Sequence, residues 1–140
     1  HTKEELNAQY RSIPDLAHNF VLQAVFEAQP APAEEMERLL AAARAKRKLS
    51  QPVGASAGCI FKNPEEIPAG RLIDELGLKN ACVGDACVSD VHANFIINRG
   101  HARARDITIL IDMIRKEAME NRGIDLKSEA QVIGDREPQF

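Results

Sequence analysis

The sequence predicts an α+β fold of two layers, with helices packed on one face of a small mixed β-sheet. Two observations carry that prediction. Short apolar runs of strand length interleave with stretches of helical periodicity across short connections, and 44% of the 140 residues are hydrophobic against 28% charged, the balance of one ordinary globular domain. Composition shifts at Gln29-Pro30-Ala31-Pro32, and again over the small residues from Ser50 to Gly58, dividing the chain into three segments.

The first segment holds the run Phe20-Val21-Leu22-Gln23-Ala24-Val25-Phe26, whose β-branched and aromatic residues predict a strand. No partner strand is visible near it, so it is expected to belong to a larger sheet formed by residues upstream of His1. From Ala33 to Leu49, Met36, Leu39, Leu40 and Ala43 recur at helical spacing. Glu34, Glu35 and Glu37 come early in that helix and Arg44, Lys46, Arg47 and Lys48 late, an order that complements the helix dipole. The basic cluster therefore reads either as a solvated last turn or as a surface for an anion.

Cys59-Ile60-Phe61 predicts a brief strand, followed by a turn at Asn63-Pro64 and a helix from Pro68 to Leu76 that Gly77 ends. Ala86-Cys87-Val88 and Asn94-Phe95-Ile96-Ile97 predict two strands in a hairpin-like arrangement. A longer helix is expected from Asp106 to Asn121, with Ile107, Leu110, Ile111, Ile114 and Ala118 on one face and Gly123 as its stop. A last strand is expected at Ala130 to Ile133, before a polar tail.

Several function classes are excluded by composition. No apolar run approaches the roughly 18 residues of a membrane span, and the N-terminal residues lack the layout of a signal peptide, so a soluble, intracellular chain with no membrane role is expected. Eighteen basic against 21 acidic residues, with no Trp, one Tyr and five Phe, argue against nucleic acid as the partner. Cys59, Cys82 and Cys87 are odd in number and unevenly spaced, which predicts free thiols in a reducing compartment. With no C-x-x-C pair, and with His1, His18, His92 and His101 scattered, no metal site is predicted.

The densest signal is Gly54-Ala55-Ser56-Ala57-Gly58-Cys59-Ile60-Phe61-Lys62-Asn63-Pro64. Its small residues let backbone approach a ligand, and successive N–H groups there can cradle an anion, although a plain turn before a strand has the same composition. Neither nucleotide fingerprint, G-x-x-x-x-G-K-[ST] nor G-x-G-x-x-G, is present. Cys59 reads as an inert small hydrophobe, the reading given to Cys82 and Cys87, or as an acid or nucleophile whose reference pKa of about 8.5 makes its proton available. His92 reads as a hydrogen-bonded turn residue or as the base of a Cys59/His92 thiol hydrolase. Glu129 passes as a solvated turn residue.

Taken in order, Ser56-Ala57-Gly58-Cys59-Ile60-Phe61-Lys62-Asn63-Pro64, Ala69-Gly70-Arg71-Leu72-Ile73-Asp74, Gly77-Leu78-Lys79, Gly84, Val88-Ser89, His92-Ala93-Asn94-Phe95-Ile96-Ile97-Asn98 and Glu129 with Val132-Ile133-Gly134 resemble the C-terminal half of the UDP-N-acetylenolpyruvoylglucosamine reductase family, also called the UDP-N-acetylmuramate dehydrogenase or MurB family. The likeness runs from about Tyr10 to Gly134. It implies a cytoplasmic step of peptidoglycan synthesis in which the enolpyruvyl ether of UDP-N-acetylglucosamine is reduced with FAD and NADPH. Hydride from reduced flavin adds to the terminal carbon of a carboxylate-conjugated double bond, the developing charge is stabilised, and a proton is delivered to the adjacent carbon.

Position by position, the resemblance places the family's arginine at Arg11 in Tyr10-Arg11-Ser12, its catalytic glutamate at Glu129, and its proton donor at Cys59, where serine is commoner. Asn63 and Lys48 match positions that contact the uridine diphosphate, and His92 aligns near flavin and substrate. The resemblance further implies that residues 1–49 end a FAD-binding domain and its helical connector, that residues 50–140 form the substrate-binding domain, and that FAD is held mainly by N-terminal domains that are missing here. The alternative is a non-catalytic nucleotide-sugar or partner-binding domain of the same fold.

Overall fold

The computed structural model describes residues 2, 5–16 and 19–133, so His1, His18, Gly134 and the expected polar tail lie outside the described residues. The chain divides into two compact units, residues 1–39 and residues 40–140, and the division falls within a helix. In the first unit, Gln9 and Ser12 exchange backbone hydrogen bonds (2.8 and 3.2 Å) around a turn in which Arg11 takes a φ of 54°. Residues 20–32 form no strand, contrary to the sequence expectation, and Phe20, Leu22, Val25 and Phe26 are exposed. The physical reason is that a strand exists through its ladder, and this run meets no second strand to pair with among the described residues. Helix α1 (Ala33–Ser50) forms as its periodicity predicts but buries none of its side chains.

The second unit carries a four-stranded sheet in the order β1-β4-β3-β2: β1 (Ser56–Cys59), β2 (Cys82–Val83), β3 (Ala86–Val88) and β4 (Phe95–Asn98). Helices α2 (Ala69–Glu75) and α3 (Ala104–Arg122) complete the two-layer α+β fold. All three ladders are antiparallel, where a mixed sheet was expected. A parallel pair would need a crossover returning a strand in the same direction, whereas β2, β3 and β4 follow one another through tight turns and β1 meets β4 from the other edge.

The core is built from Ile60, Phe61, Leu72, Ile73, Val88, Ile96, Leu110, Ile114 and Leu126. Leu110, Ile111, Ile114 and Ala118 are the buried stripe of α3, which starts with a reciprocal Arg103/Asp106 cap and ends at Gly123 in the left-handed conformation. Glu75 on α2 accepts from Arg71 (2.8 Å) and from Arg122 of α3 (3.0 Å). The Arg71 guanidinium, with Arg122 adding to it, holds the Glu75 carboxyl below the ordinary glutamate value.

Two further expectations are corrected. Residues 130–133 form no strand; the chain makes only a single antiparallel bridge ahead of them, between Phe61 and Ser128, because β1 has already given way to coil at Ile60. Cys82 and Cys87 are not free thiols but a disulfide, since the unpredicted strand β2 sets them directly opposite one another in the β2–β3 ladder. No described helix is long and apolar enough to cross a membrane.

Candidate active site

Cys59 owes its placement to a defect in a ladder. β1 pairs with β4 at Ser56↔Ile97 and at Cys59↔Phe95, so three steps along β1 match two along β4 and one residue is extra. Such a bulge bends the strand and re-aims the side chain that follows it. Gly58 supplies the conformation, with a φ of 81°, while a Cβ built on it would meet nothing within 4 Å. Glycine is required here for its backbone and not for room. Cys59, half-buried and carrying a thiol, is the last residue of the bulged strand.

The next two residues are gripped by Asn94, which is 3% exposed. Its side-chain Oδ1 accepts the Phe61 N–H (2.9 Å), its Nδ2 donates to the Phe61 carbonyl (2.8 Å), and its backbone carbonyl accepts the Ile60 N–H (2.9 Å). The other side of the same segment receives the C-terminal stretch: the Glu129 N–H donates to the Ile60 carbonyl (2.7 Å) and the Lys62 N–H to the Lys127 carbonyl (2.9 Å). Glu129, half-buried, is thereby fixed one hydrogen bond away from the neighbour of Cys59.

His92 is seated by hydrogen bonds to two residues, Ser89 and Asn94. Buried Ser89 accepts the Val91 and His92 N–H groups on its Oγ (3.1 and 3.2 Å), and the Asn94 N–H donates to His92 Nδ1 (3.2 Å). An Nδ1 that accepts leaves the ring proton on Nε2. The ring stands edge-on to Phe95 with centroids 5.0 Å apart, and it crowds Gly70, where a Cβ would fall 2.7 Å from His92 Cε1. Asn63 directs its Oδ1 to the Ala69 N–H (3.0 Å), capping the start of α2.

Lys48 stands on the last turn of α1, where with Arg44, Arg47, Ser56, Gly58 and Phe95 it lines an open cleft of about 430 Å³. The cleft thus joins the basic helix end to the small-residue loop and the bulge. Of the residues singled out in the sequence, Glu129 and His92 are tied by hydrogen bonds to the Ile60 carbonyl and the Asn94 N–H, Cys59 directly precedes Ile60 in the chain, Asn63 caps α2, and Lys48 shares a cleft with the loop that precedes Cys59. Arg11 belongs to the first unit, where its guanidinium lies 5.9 Å from the centroid of the Tyr10 ring.

Sequence reasoning missed Asn94, Gly58 and Gly70 as site-building residues. Asn94 left a signal, being the one polar residue within Ala93-Asn94-Phe95-Ile96-Ile97, since a polar side chain in an apolar strand must find buried partners. The seat that Gly70 leaves for His92 depends on a contact across 22 positions and has no local signature.

A family model described as "UDP-N-acetylenolpyruvoylglucosamine reductase, C-terminal domain" matches residues 48–133. The UDP-N-acetylenolpyruvoylglucosamine reductase of Syntrophobacter fumaroxidans is 42% identical over 132 residues, covering 94% of this chain and 38% of the relative. That of Geotalea uraniireducens is 42% identical over 133 residues, covering 94% and 44%. The crystal structure of the Thermus caldophilus reductase superposes with a TM-score of 0.64 at 45% identity, over 74% of this chain and 36% of that one. The chain therefore spans about two fifths of the length of these relatives. By sequence and by fold, it belongs to the UDP-N-acetylenolpyruvoylglucosamine reductase family and contains that family's C-terminal domain.

Proposed function

We propose that this chain is the substrate-binding, proton-donating part of a flavin reductase that converts enolpyruvyl UDP-N-acetylglucosamine to UDP-N-acetylmuramate with NADPH, in the cytoplasm, during peptidoglycan precursor synthesis. The observation that carries the reading is that Glu129 is held, by its backbone N–H, on the carbonyl of Ile60, the residue that follows Cys59 on its bulge. A donor for the proton and a carboxylate beside the reacting centre are what addition across an enolpyruvyl ether demands. In this reading residues 1–49 end a FAD-binding domain and its connector, and residues 50–140 bind substrate.

Cys59 gives its thiol proton to the carbon next to the substrate carboxylate. Glu129 and Arg11 act about that carboxylate, where charge develops before the proton arrives. A thiol suits the task because its proton leaves far more readily than that of an alcohol. Lys48, on the basic cleft, offsets the charge of the uridine diphosphate. Asn63 spends its oxygen on the α2 cap and offers its Nδ2 protons to the same group. His92, held by its Nδ1, offers a single Nε2 donor toward flavin or substrate.

FAD and NADPH complete the proposed reaction, but the chain carries neither nucleotide fingerprint. At Gly70, Gly84 and Gly100, the glycines where added bulk would meet a neighbour, that neighbour is the chain's own His92, Asp106 or Asp85. What these residues supply is the substrate side of the reaction. The test is the full-length protein: a yellow preparation that consumes NADPH only when enolpyruvyl UDP-N-acetylglucosamine is added supports the reading. A colourless protein, still inert once FAD is supplied, refutes it.

A further inference from the structure

The Cys82–Cys87 pair has no part in the proposed reduction, and its setting differs from that of a structural staple. The two residues face each other across the β2–β3 hairpin with Cα atoms 4.1 Å apart. Val83 and Ala86 pair next to them and Val88 N–H donates to the Ala81 carbonyl beyond them, so they occupy the non-hydrogen-bonded position, where opposed side chains come closest. The loop they close is short, so the bond constrains the unfolded chain less than one closing a long loop would. Proximity here comes from the hairpin itself. Gly84, with a φ of 55°, opens a two-residue turn, and Asp85 anchors its tip by accepting the Arg99 N–H on its carbonyl and the His101 N–H on its carboxylate (both 2.8 Å).

The two cysteines also differ in access: Cys82 is exposed on the edge strand, whereas Cys87 is 2% exposed on a strand buried throughout. An attacking thiolate is thus directed to one sulfur and the other is left to resolve. The Asn80 carbonyl lies 3.2 Å from the Cys82 sulfur, ready to accept the S–H once the bond is broken.

We propose that Cys82 and Cys87 form a reversible thiol–disulfide couple that exchanges with low-molecular-weight thiols at the Cys82 sulfur. In the reducing direction a thiolate of the small thiol bonds to Cys82 Sγ, the Cys82–Cys87 bond breaks, and Cys87 leaves as a thiolate that takes up a proton. A second small thiol attacks the mixed disulfide, releasing the small disulfide and the Cys82 thiol. Two small thiols are oxidised and one protein disulfide is reduced; the oxidising direction is the reverse. The proposal does not depend on the reductase reading.

The test equilibrates the full-length native protein with mixtures of reduced and oxidised glutathione, quenches with acid and alkylates, then maps the cysteines by mass spectrometry. Expected is a pair that passes from dithiol to disulfide, losing two hydrogen masses, within the range of the mixtures. Early quenches should carry the glutathionyl adduct on Cys82, and Cys87→Ala should accumulate that adduct while Cys82→Ala leaves Cys87 unmodified. A pair that stays wholly oxidised or wholly reduced across the range overturns the proposal, as does an adduct that forms on Cys87 as fast as on Cys82. The early-quench measurement needs no variant, so a substitution that fails to fold does not decide the outcome.

Discussion

Replacing Asn94 by alanine strips the Phe61 backbone of both its side-chain partners at once. The two hydrogen bonds are 2.9 and 2.8 Å long, and Phe61 itself is 1% exposed, so water cannot take over either role. Leaving a buried donor or acceptor unmade costs about 1–3 kcal/mol each, which puts Asn94→Ala at about 2–6 kcal/mol. That is a large share of the roughly 5–15 kcal/mol of a typical domain, and it corresponds to a fall in Tm of about 7 °C or more. Asn94→Asp should fare no better, since it keeps an acceptor for the Phe61 N–H but turns a second acceptor toward the Phe61 carbonyl. Asn98→Ala is the control: its Oδ1 accepts the Gly100 and Ala102 N–H groups (2.8 and 3.0 Å) at an exposed site where water substitutes, so about 1 kcal/mol is expected. Urea unfolding gives the free energies, and hydrogen exchange at the Phe61 amide gives the local effect. An Asn94→Ala loss below about 1 kcal/mol, with an unchanged urea slope, would refute the clamp.

The remaining predictions concern the bulge, the histidine seat, the proton donor and acid stability. Gly58→Ala should cost about 1–3 kcal/mol through its φ of 81° alone, and a melting curve matching the parent's would contradict that. Gly70→Ala gains up to about 1 kcal/mol in helix preference but drives a Cβ against His92, so stability should stay within about 1 kcal/mol while KM for the nucleotide sugar rises; an unchanged KM argues against a substrate role for His92. Cys59→Ala should lower kcat by about a hundredfold to ten-thousandfold with a much smaller change in KM, whereas Cys59→Ser retains turnover; equal losses in the two variants would remove Cys59 from the proton-donor role. Because Arg71 and Arg122 depress the Glu75 pKa, the stability this carboxylate contributes is present above the ordinary glutamate value of about 4.3 and is lost as pH falls through its lowered folded value. Unfolding followed from pH 6 into that acid range should therefore show a shallower loss in Glu75→Gln than in the parent.

Where element geometry depends on neighbours in sequence, it was legible. The α3 stripe, the Gly77 and Gly123 stops and the β3–β4 pair were all readable from spacing and turn chemistry. What failed depended on partners far along the chain. Phe20 to Phe26 has strand composition yet forms no strand, because a ladder is a property of two segments. β2 is only two residues long and carries no periodicity, so the register that opposes Cys82 to Cys87 was invisible and the cysteines read as free. At the site, the residue types at Cys59 and Glu129 were readable, while the bulge and the Asn94 clamp that bring their backbones together were not.

That division bears on how the site tolerates change. Cys59, Glu129 and His92 each attach to Asn94 or to the Ile60–Phe61 segment it holds: Cys59 by the chain, Glu129 through the Ile60 carbonyl, His92 through the Asn94 N–H. A change at Asn94 therefore moves three groups together, whereas a change at Cys59 alters one and leaves the frame standing. The two kinds of variant should separate in a double-mutant cycle. Asn94→Ala and Cys59→Ala ought to be strongly non-additive in kcat, since a displaced proton donor has little left to lose. Additive losses would mean that Asn94 stabilises the sheet without positioning the site.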